Sequence, residues 1–253
     1  MKLKHLFLPL FFLMALSCDK NDDADYEFVQ VATPQLISKS AFRSAVKVTV
    51  PKPIKEAGKI YAYKDYIFIG DLDGIHVIDS SNPVSPRAIT FIEIPINEDI
   101  SVKDDFLYAD SGTDLVVFDI SNINTVSLVE RLKDVFNVYN YNIPVEADVV
   151  DYAQINFETD IVLGWTLSTE RRKKVDENLI DITFNDRAVL NSTAESTTGT
   201  GGSLARFQIV YNYLYTVGNH EMGIFNIQNL SEPVLANTQY AGWNIETMFQ
   251  VDD

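Results

Sequence analysis

Residues 66–86 read YIFIGDLDGIHVIDSSNPVSP, and forty residues later the chain writes much the same again, FLYADSGTDLVVFDISNINTV at 106–126. A third copy, YLYTVGNHEMGIFNIQNLSEP, occupies 213–233. With Tyr66, Phe106 and Tyr213 in register the three align without gaps. Each opens with an aromatic residue and an apolar run, turns through polar residues (Asp71 to Gly74, Asp110 to Thr113, Gly218 to Glu221), runs apolar again, and closes on Asp79, Asp119 or Asn226. Short β-branched and aromatic runs separated by Gly, Asp and Asn predict β-hairpins. Further short apolar runs precede each hairpin, at 59–63, 100–102 and 207–210, and follow two of them, at 88–92 and 127–129. About four strands in roughly 40 residues is the unit of a propeller blade.

The fold class expected is therefore all-β, a β-propeller of four-stranded repeats, incomplete in this chain. Short Asx and Ser side chains in the closing turn, Asp79-Ser80-Ser81-Asn82-Pro83 in the first copy, satisfy nearby backbone donors, and Pro83 takes the chain out of the sheet. A calcium site at Asp79 or Asp119 is a poorer reading, because one carboxylate per turn is too few oxygens and the third copy has Asn226.

Val77-Ile78-Asp79 and Val117-Phe118-Asp119, each followed by the Ser-Asn turn, resemble the LVIVD repeat of bacterial surface and secreted proteins. The resemblance covers roughly 58–132 and 204 to the end. It implies a propeller-like fold and an extracytoplasmic address. The family has no defined common activity, so no catalytic residue carries over.

The chain opens MKLKHLFLPLFFLMALSC, a basic start and an apolar run too short to span a bilayer, which reads as a secretory signal. Its one cysteine, Cys18, cannot form an intramolecular disulfide. Ala15-Leu16-Ser17-Cys18 resembles a bacterial lipobox, with Ala15 where leucine is usual, and this implies acylation of Cys18. Acyl chains contribute roughly 0.8 kcal/mol per buried methylene, enough for stable anchoring when several are present. The acidic run from Asp19 to Asp25 is a solvated tether, or a signal for the outer face of the outer membrane.

Five segments follow: leader 1–17; acylated cysteine and flexible tether 18–50; two repeats 51–132; a divergent blade or inserted β-hairpin with a mobile loop 133–203; and a third repeat with the start of a fourth 204–253. In the fourth segment a strand over 160–167 carries Trp165 and pairs with 179–184, while the Ser/Thr/Gly-rich run 191–203 forms the loop. The cluster Arg171-Arg172-Lys173-Lys174 between those two strands is expected in an exposed turn. Residues 248–253 match 100–105, so a further hairpin is expected beyond them in a longer chain.

The formal net charge is −16, and removal of the leader with Lys2 and Lys4 leaves 18 basic against 36 acidic residues, a net of −18. Such a surface disfavours nucleic acid. His76 and His220 occupy non-equivalent places in their repeats, and no nucleophile elbow or phosphate loop is present. No catalytic residue, metal-ligand set or cofactor is assigned. The functional expectation is a membrane-anchored binding or scaffold module, lipid-attached through Cys18, on the cell surface or facing the periplasm. Its partner is an envelope or surface protein, or a glycan met by Trp165 and Trp243. The competing expectation is a hydrolase-type enzyme with its site in the propeller channel.

Overall fold

The computed structural model describes residues 25–136, 143–174, 206–218, 220–242 and 248, and the backbone of 188–189. The expected leader, Cys18, the runs 179–184 and 191–203, Trp243 and the sequence match at 249–253 lie outside the described residues.

Three antiparallel sheets correspond to the three sequence copies. Blade 1 comprises β3 (Ile60–Tyr63), β4 (Tyr66–Asp71), β5 (Gly74–Asp79) and β6 (Arg87–Glu93), with β2 (Lys47–Thr49) added outside β6. Blade 2 comprises β7 (Ile100–Lys103), β8 (Phe106–Ser111), β9 (Asp114–Asp119) and β10 (Ser127–Leu132). Blade 3 comprises β14 (Phe207–Val210), β15 (Tyr213–Val217), β16 (Glu221–Asn226) and β17 (Val234–Tyr240). In each blade the first two strands are joined by a two-residue turn whose first residue has positive φ: Lys64 at 53°, Asp104 at 46° and Tyr211 at 52°. That backbone matches the right-handed twist of the flanking strands.

The closing turn repeats atom for atom. Asp79 Oδ1 accepts from the Ser81 N–H (3.0 Å), Asp119 Oδ1 from the Ser121 N–H (2.8 Å) and Asn226 Oδ1 from the Gln228 N–H (2.9 Å). Carboxylate and amide accept equally well here, which is why the third copy tolerates Asn226.

Side chains alternate across β8, and both faces of blade 2 are buried. Leu107, Ala109, Val116 and Phe118 pack with Phe68, Ile75 and Val77 of blade 1. On the other face Tyr108, Leu115 and Val117 pack with Phe207, Leu214 and Phe225 of blade 3. Each Val, Leu, Ile or Phe among them contributes about 1.5–3 kcal/mol on burial. Inner-strand tyrosines set the first junction: Tyr61 Oη donates to Val102 O (3.1 Å), and the Asp105 N–H donates to Tyr63 Oη (3.0 Å). At the second, Tyr108 Oη donates to Leu230 O (2.7 Å).

Blade 3 thus sits directly on blade 2, and the described strands between them in sequence belong to a separate sheet. Here β12 (Asp160–Lys173) pairs antiparallel with β1 (Tyr26–Ser38), in the sheet order β12-β1-β11-β13, where β11 is Val149–Val150 and β13 is Ala188–Val189. Two expectations are corrected. Residues 26–49, assigned to a flexible tether, form β1, α1 (Lys39–Ser44) and β2. Arg171 to Lys173 lie at the end of a strand and not in a turn, opposite Phe28, Glu27 and Tyr26, with the Arg171 guanidinium 4.2 Å from the Tyr26 ring centre.

Helix α1 joins this sheet to blade 2. Ser38 caps it, accepting from the Ala41 N–H. Phe42, 2% exposed, lies against Gly112, where a Cβ would come within 3.1 Å of the ring. Gly112 has φ +58°, so it is required both for the turn and for that approach. Among the described residues no helix is long and apolar enough to cross a membrane.

Candidate functional site

Seven residues upstream of each opening aromatic the three repeats carry Lys59, Asp99 and Arg206. These begin the inner strands, and the main chain treats them alike: the N–H groups of Gly70, Asp110 and Val217 donate to the carbonyls of Lys59, Asp99 and Arg206 (2.8, 3.4 and 2.8 Å). Their side chains alternate in charge around one end of the arc. Lys59 Nζ donates to Asp99 Oδ1 (2.5 Å), whose partner oxygen Oδ2 accepts from the Phe207 N–H of blade 3 (3.1 Å). Arg206 Nη1 donates back to Asp110 Oδ2 of blade 2 (2.5 Å) and stands 3.4 Å from Glu98.

Asp99 and Asp110 are both completely buried. Burial pushes the Asp99 carboxyl above its usual range, against the pull of Lys59. Asp110 Oδ1 accepts from the N–H groups of Glu98 and Asp99 and from Asn97 Nδ2 (2.8, 2.8 and 2.9 Å). The two carboxylates are occupied by backbone donors and by cations on neighbouring blades, so the cluster fastens blades and offers no free acid or base.

Beside it lies a cavity of about 340 Å³ lined by Glu56, Ala57, Gly58, Gly70, Asp71, Leu72, Asn97 and Glu98. Asp71 is 5% exposed; its Oδ2 meets the Nε2 of the buried His76 at 3.2 Å and the Lys55 N–H at 3.2 Å. Burial alone would raise Asp71, but these donors hold its carboxyl below the usual range. Glu98 goes the other way, pushed up by burial with only partial relief from Arg206. A second cavity, about 390 Å³, lies between blades 2 and 3, where Leu132, Val135, Phe225 and Leu235 alternate with Lys133, Asp134, Thr216, Glu221 and Thr238 in its wall.

A separate cluster ties the inserted sheet to blade 2. Asp114, 1% exposed, accepts from Arg43 Nε (2.8 Å) and Nη2 (3.0 Å), Arg131 Nη1 (2.9 Å) and the Asp134 N–H (3.0 Å). Burial would raise its pKa, but the bonds from Arg43, Asp134 and Arg131 outweigh burial and hold it low.

Trp165 is half-buried on β12, opposite Pro34 and edge-on to Tyr152 with ring centres 6.1 Å apart. Trp243, named with it as a ligand contact, and Cys18, the expected lipid attachment, lie outside the described residues. His76 is a strand residue packed at 4.6 Å from Phe91, and His220 sits in a turn near Tyr240. Among the described residues no group of three or more His, Cys, Asp or Glu side chains is arranged to hold a metal. Sequence reading missed Lys59, Asp99 and Arg206, although carrying the gap-free register seven residues upstream would have found them.

Sheets of four antiparallel strands, in sequence register and packed face to face around common inner strands, define a propeller-like repeat protein. The family model described as the LVIVD repeat matches residues 55–90 and 97–134, which span most of blades 1 and 2. No curated protein matches the chain.

Among solved structures, a functionally unknown protein from Desulfotomaculum acetoxidans aligns over 80% of this chain and 44% of its own at 11% identity and a TM-score of 0.40. A Saccharomyces cerevisiae assembly of Dbp5 bound to Nup159, Gle1, IP6 and ADP aligns over 76% and 32% at 10% identity and 0.35. The N-terminal domain of Nup159 aligns over 80% and 65% at 10% identity and 0.27. The chain spans less than two thirds of each of these.

Proposed function

We propose that this is a lipid-anchored, extracytoplasmic propeller-type module that binds an envelope or surface protein, or a glycan, and acts as a scaffold. The observation that carries the reading is the inserted sheet: a rigid arc of blades interrupted once, by a sheet that α1 and Asp114 hold in a fixed position. An excursion from a repeat scaffold is where binding surface is placed at least cost to the fold. On that sheet Phe28, Leu163 and Leu167 are exposed beside half-buried Trp165. The resemblance of residues 15–18 to a lipobox supports the anchor, and β1 starts eight residues after Cys18, so the tether leads straight into the sheet. The hydrolase alternative is less well supported, because the carboxylates converging at the end of the inner strands are already engaged.

The test is cross-linking in intact cells with three proteins: the parent, Cys18→Ala, and Leu163→Glu with Leu167→Glu. The parent should incorporate labelled palmitate, partition into detergent and give one dominant cross-linked species. Cys18→Ala should lose the label and the membrane fraction. The double variant should keep its anchor and melting temperature but lose the cross-link. A Cys18→Ala protein that still takes up label and stays in the membrane would reject the anchor. An unchanged cross-link in the double variant would reject the inserted sheet as the binding surface.

A further inference from the structure

On the face that each blade turns to the blade before it, the repeat register sets Ala109 opposite Val116 in blade 2 and Thr216 opposite Gly223 in blade 3. Ala109 and Val116 are fully buried in the apolar core shared with blade 1. In blade 3 the valine side chain is missing and a hydroxyl has been added. The cavity of about 390 Å³ between blades 2 and 3 opens at this pair, with Thr216 and Gly223 in its wall. Gly223 is not among the glycines with positive φ, so no turn requires it. A glycine in the middle of a strand weakens the strand and marks a place where something else approaches closely.

Thr216 is 2% exposed, and its hydroxyl has no hydrogen-bond partner among the described residues. Two other unpartnered side-chain oxygens, Asn97 Oδ1 and Ser111 Oγ, are sealed from solvent, whereas Thr216 Oγ1 is not. An added Cβ at Gly223 would come within 2.6 Å of Thr216 Oγ1 and 3.1 Å of the Phe225 ring, so the glycine is what leaves the hydroxyl uncovered. Exposure grades the wall from the interior to the mouth: Thr216 and Phe225 are buried, Leu132 and Val135 half-buried, Lys133 and Glu221 exposed. An occupant therefore meets one hydroxyl inside, apolar side chains along its body and charges where it emerges. A phenyl ring or alkyl chain would leave the hydroxyl unanswered, and a sugar ring would bring several hydroxyls to an interior that answers one. An apolar body with a single hydrogen-bonding tip is a phenol, whose hydroxyl finds such a partner when buried. Asp134 at the mouth is engaged by Lys39 and Arg43, while Lys133 and Glu221 form no ion pair among the described residues.

We propose that the cavity between blades 2 and 3 binds a phenol, the chemistry of a tyrosine side chain, with its hydroxyl on Thr216 Oγ1, its ring among Leu132, Val135 and Phe225, and the groups that bear it beside Lys133 and Glu221. The site does not depend on the function proposed above. The phenol can arrive on a protein segment or as the free amino acid.

Methyl-detected NMR titration of the whole chain tests this with Nα-acetyl-tyrosine methylamide, its phenylalanine counterpart, and L-tyrosine. The tyrosine probes should shift the methyl signals of Leu132, Val135 and Thr216 saturably, and the phenylalanine probe should bind about fivefold more weakly than its tyrosine counterpart, the scale of one neutral hydrogen bond. Tighter binding of L-tyrosine identifies a free amino acid held through Lys133 and Glu221, and tighter binding of the capped probe a protein segment. Thr216→Val, which exchanges an unpartnered hydroxyl for a methyl group, should make the capped tyrosine and phenylalanine probes bind equally while the melting temperature holds or rises. Thr216→Ala with Gly223→Val, which installs the pair that blade 2 carries at the same positions, should abolish binding by filling the cavity. Absence of saturable shifts at these methyl groups with both tyrosine probes would overturn the proposal. So would equal binding of the capped tyrosine and phenylalanine probes by the parent, or tyrosine affinity unchanged in both variants.

Discussion

The three blades and the sheet of β1 and β12 draw on the same residue types and differ in where in the chain their partners lie. In a blade each strand pairs with its neighbour across a short turn, so hydrophobic alternation and turn chemistry specify the pairing locally. In the inserted sheet Gln30 meets Thr169 across 139 residues, and nothing near either strand dictates that choice. The blades fasten to one another through broad apolar faces and buried charges. The inserted sheet fastens to blade 2 through a small contact, Phe42 on Gly112 and Arg43 on Asp114. Local pairing makes a scaffold, and distant pairing adds an appendage whose loss the scaffold can survive.

The sharpest way to break this contrast is to attack the blade junction. Asp110→Ala removes the acceptor of Arg206, Asn97 and two backbone N–H groups, leaving buried donors unanswered, and should cost about 4 kcal/mol. Urea denaturation should show blades 2 and 3 unfolding together at a lower midpoint. A loss below about 1 kcal/mol would mean that the charges do not hold the blades.

Phe42→Ala should be next, about 3 kcal/mol, the scale of a buried aromatic truncated to a methyl group. Its effect should be confined. Hydrogen exchange should speed up in α1, β1 and β12 while the amides of β8 and β9 keep their protection. Equal acceleration across blade 2 would show that scaffold and insert are one cooperative unit.

The smallest effect concerns the repeated closing turn. Ser81 donates to Asp79 through both side chain and backbone, and with Arg87 these bonds lower the Asp79 carboxyl from 3.8 to about 2. A lowered carboxyl contributes stability that is complete above pH 3.8 and disappears as the pH falls through about 2. Ser81→Ala should move the midpoint, followed by carboxyl NMR shifts, back toward 3.8 with little change in melting temperature at neutral pH. A midpoint that stays near 2 would assign the shift to the residue-81 backbone N–H and Arg87, without the Ser81 hydroxyl.

The legible part of the candidate site follows the same division. Tyr66, Phe106 and Tyr213 disclosed the register, and Asp79, Asp119 and Asn226 disclosed the closing turn, because each acts within a few residues of itself. Lys59, Asp99 and Arg206 could be found by extending that register, but they differ in residue type, and their ion pairing follows from their placement on adjacent blades. Thr216 and Gly223 stand in the same register as Ala109 and Val116, but that their exchange opens a cavity follows only from the packing of blade 3 on blade 2.

By itself the sequence determined the hairpins, the four-stranded unit and its repetition, and the acidic surface, all of which depend on composition or on spacings shorter than a blade. Only the tertiary structure decided that blade 3 packs directly on blade 2, that residues 26–38 join the inserted sheet, and that an acidic cavity opens beside the inner strands. Those outcomes are set by which surfaces bury one another across distances along the chain that local propensity does not encode.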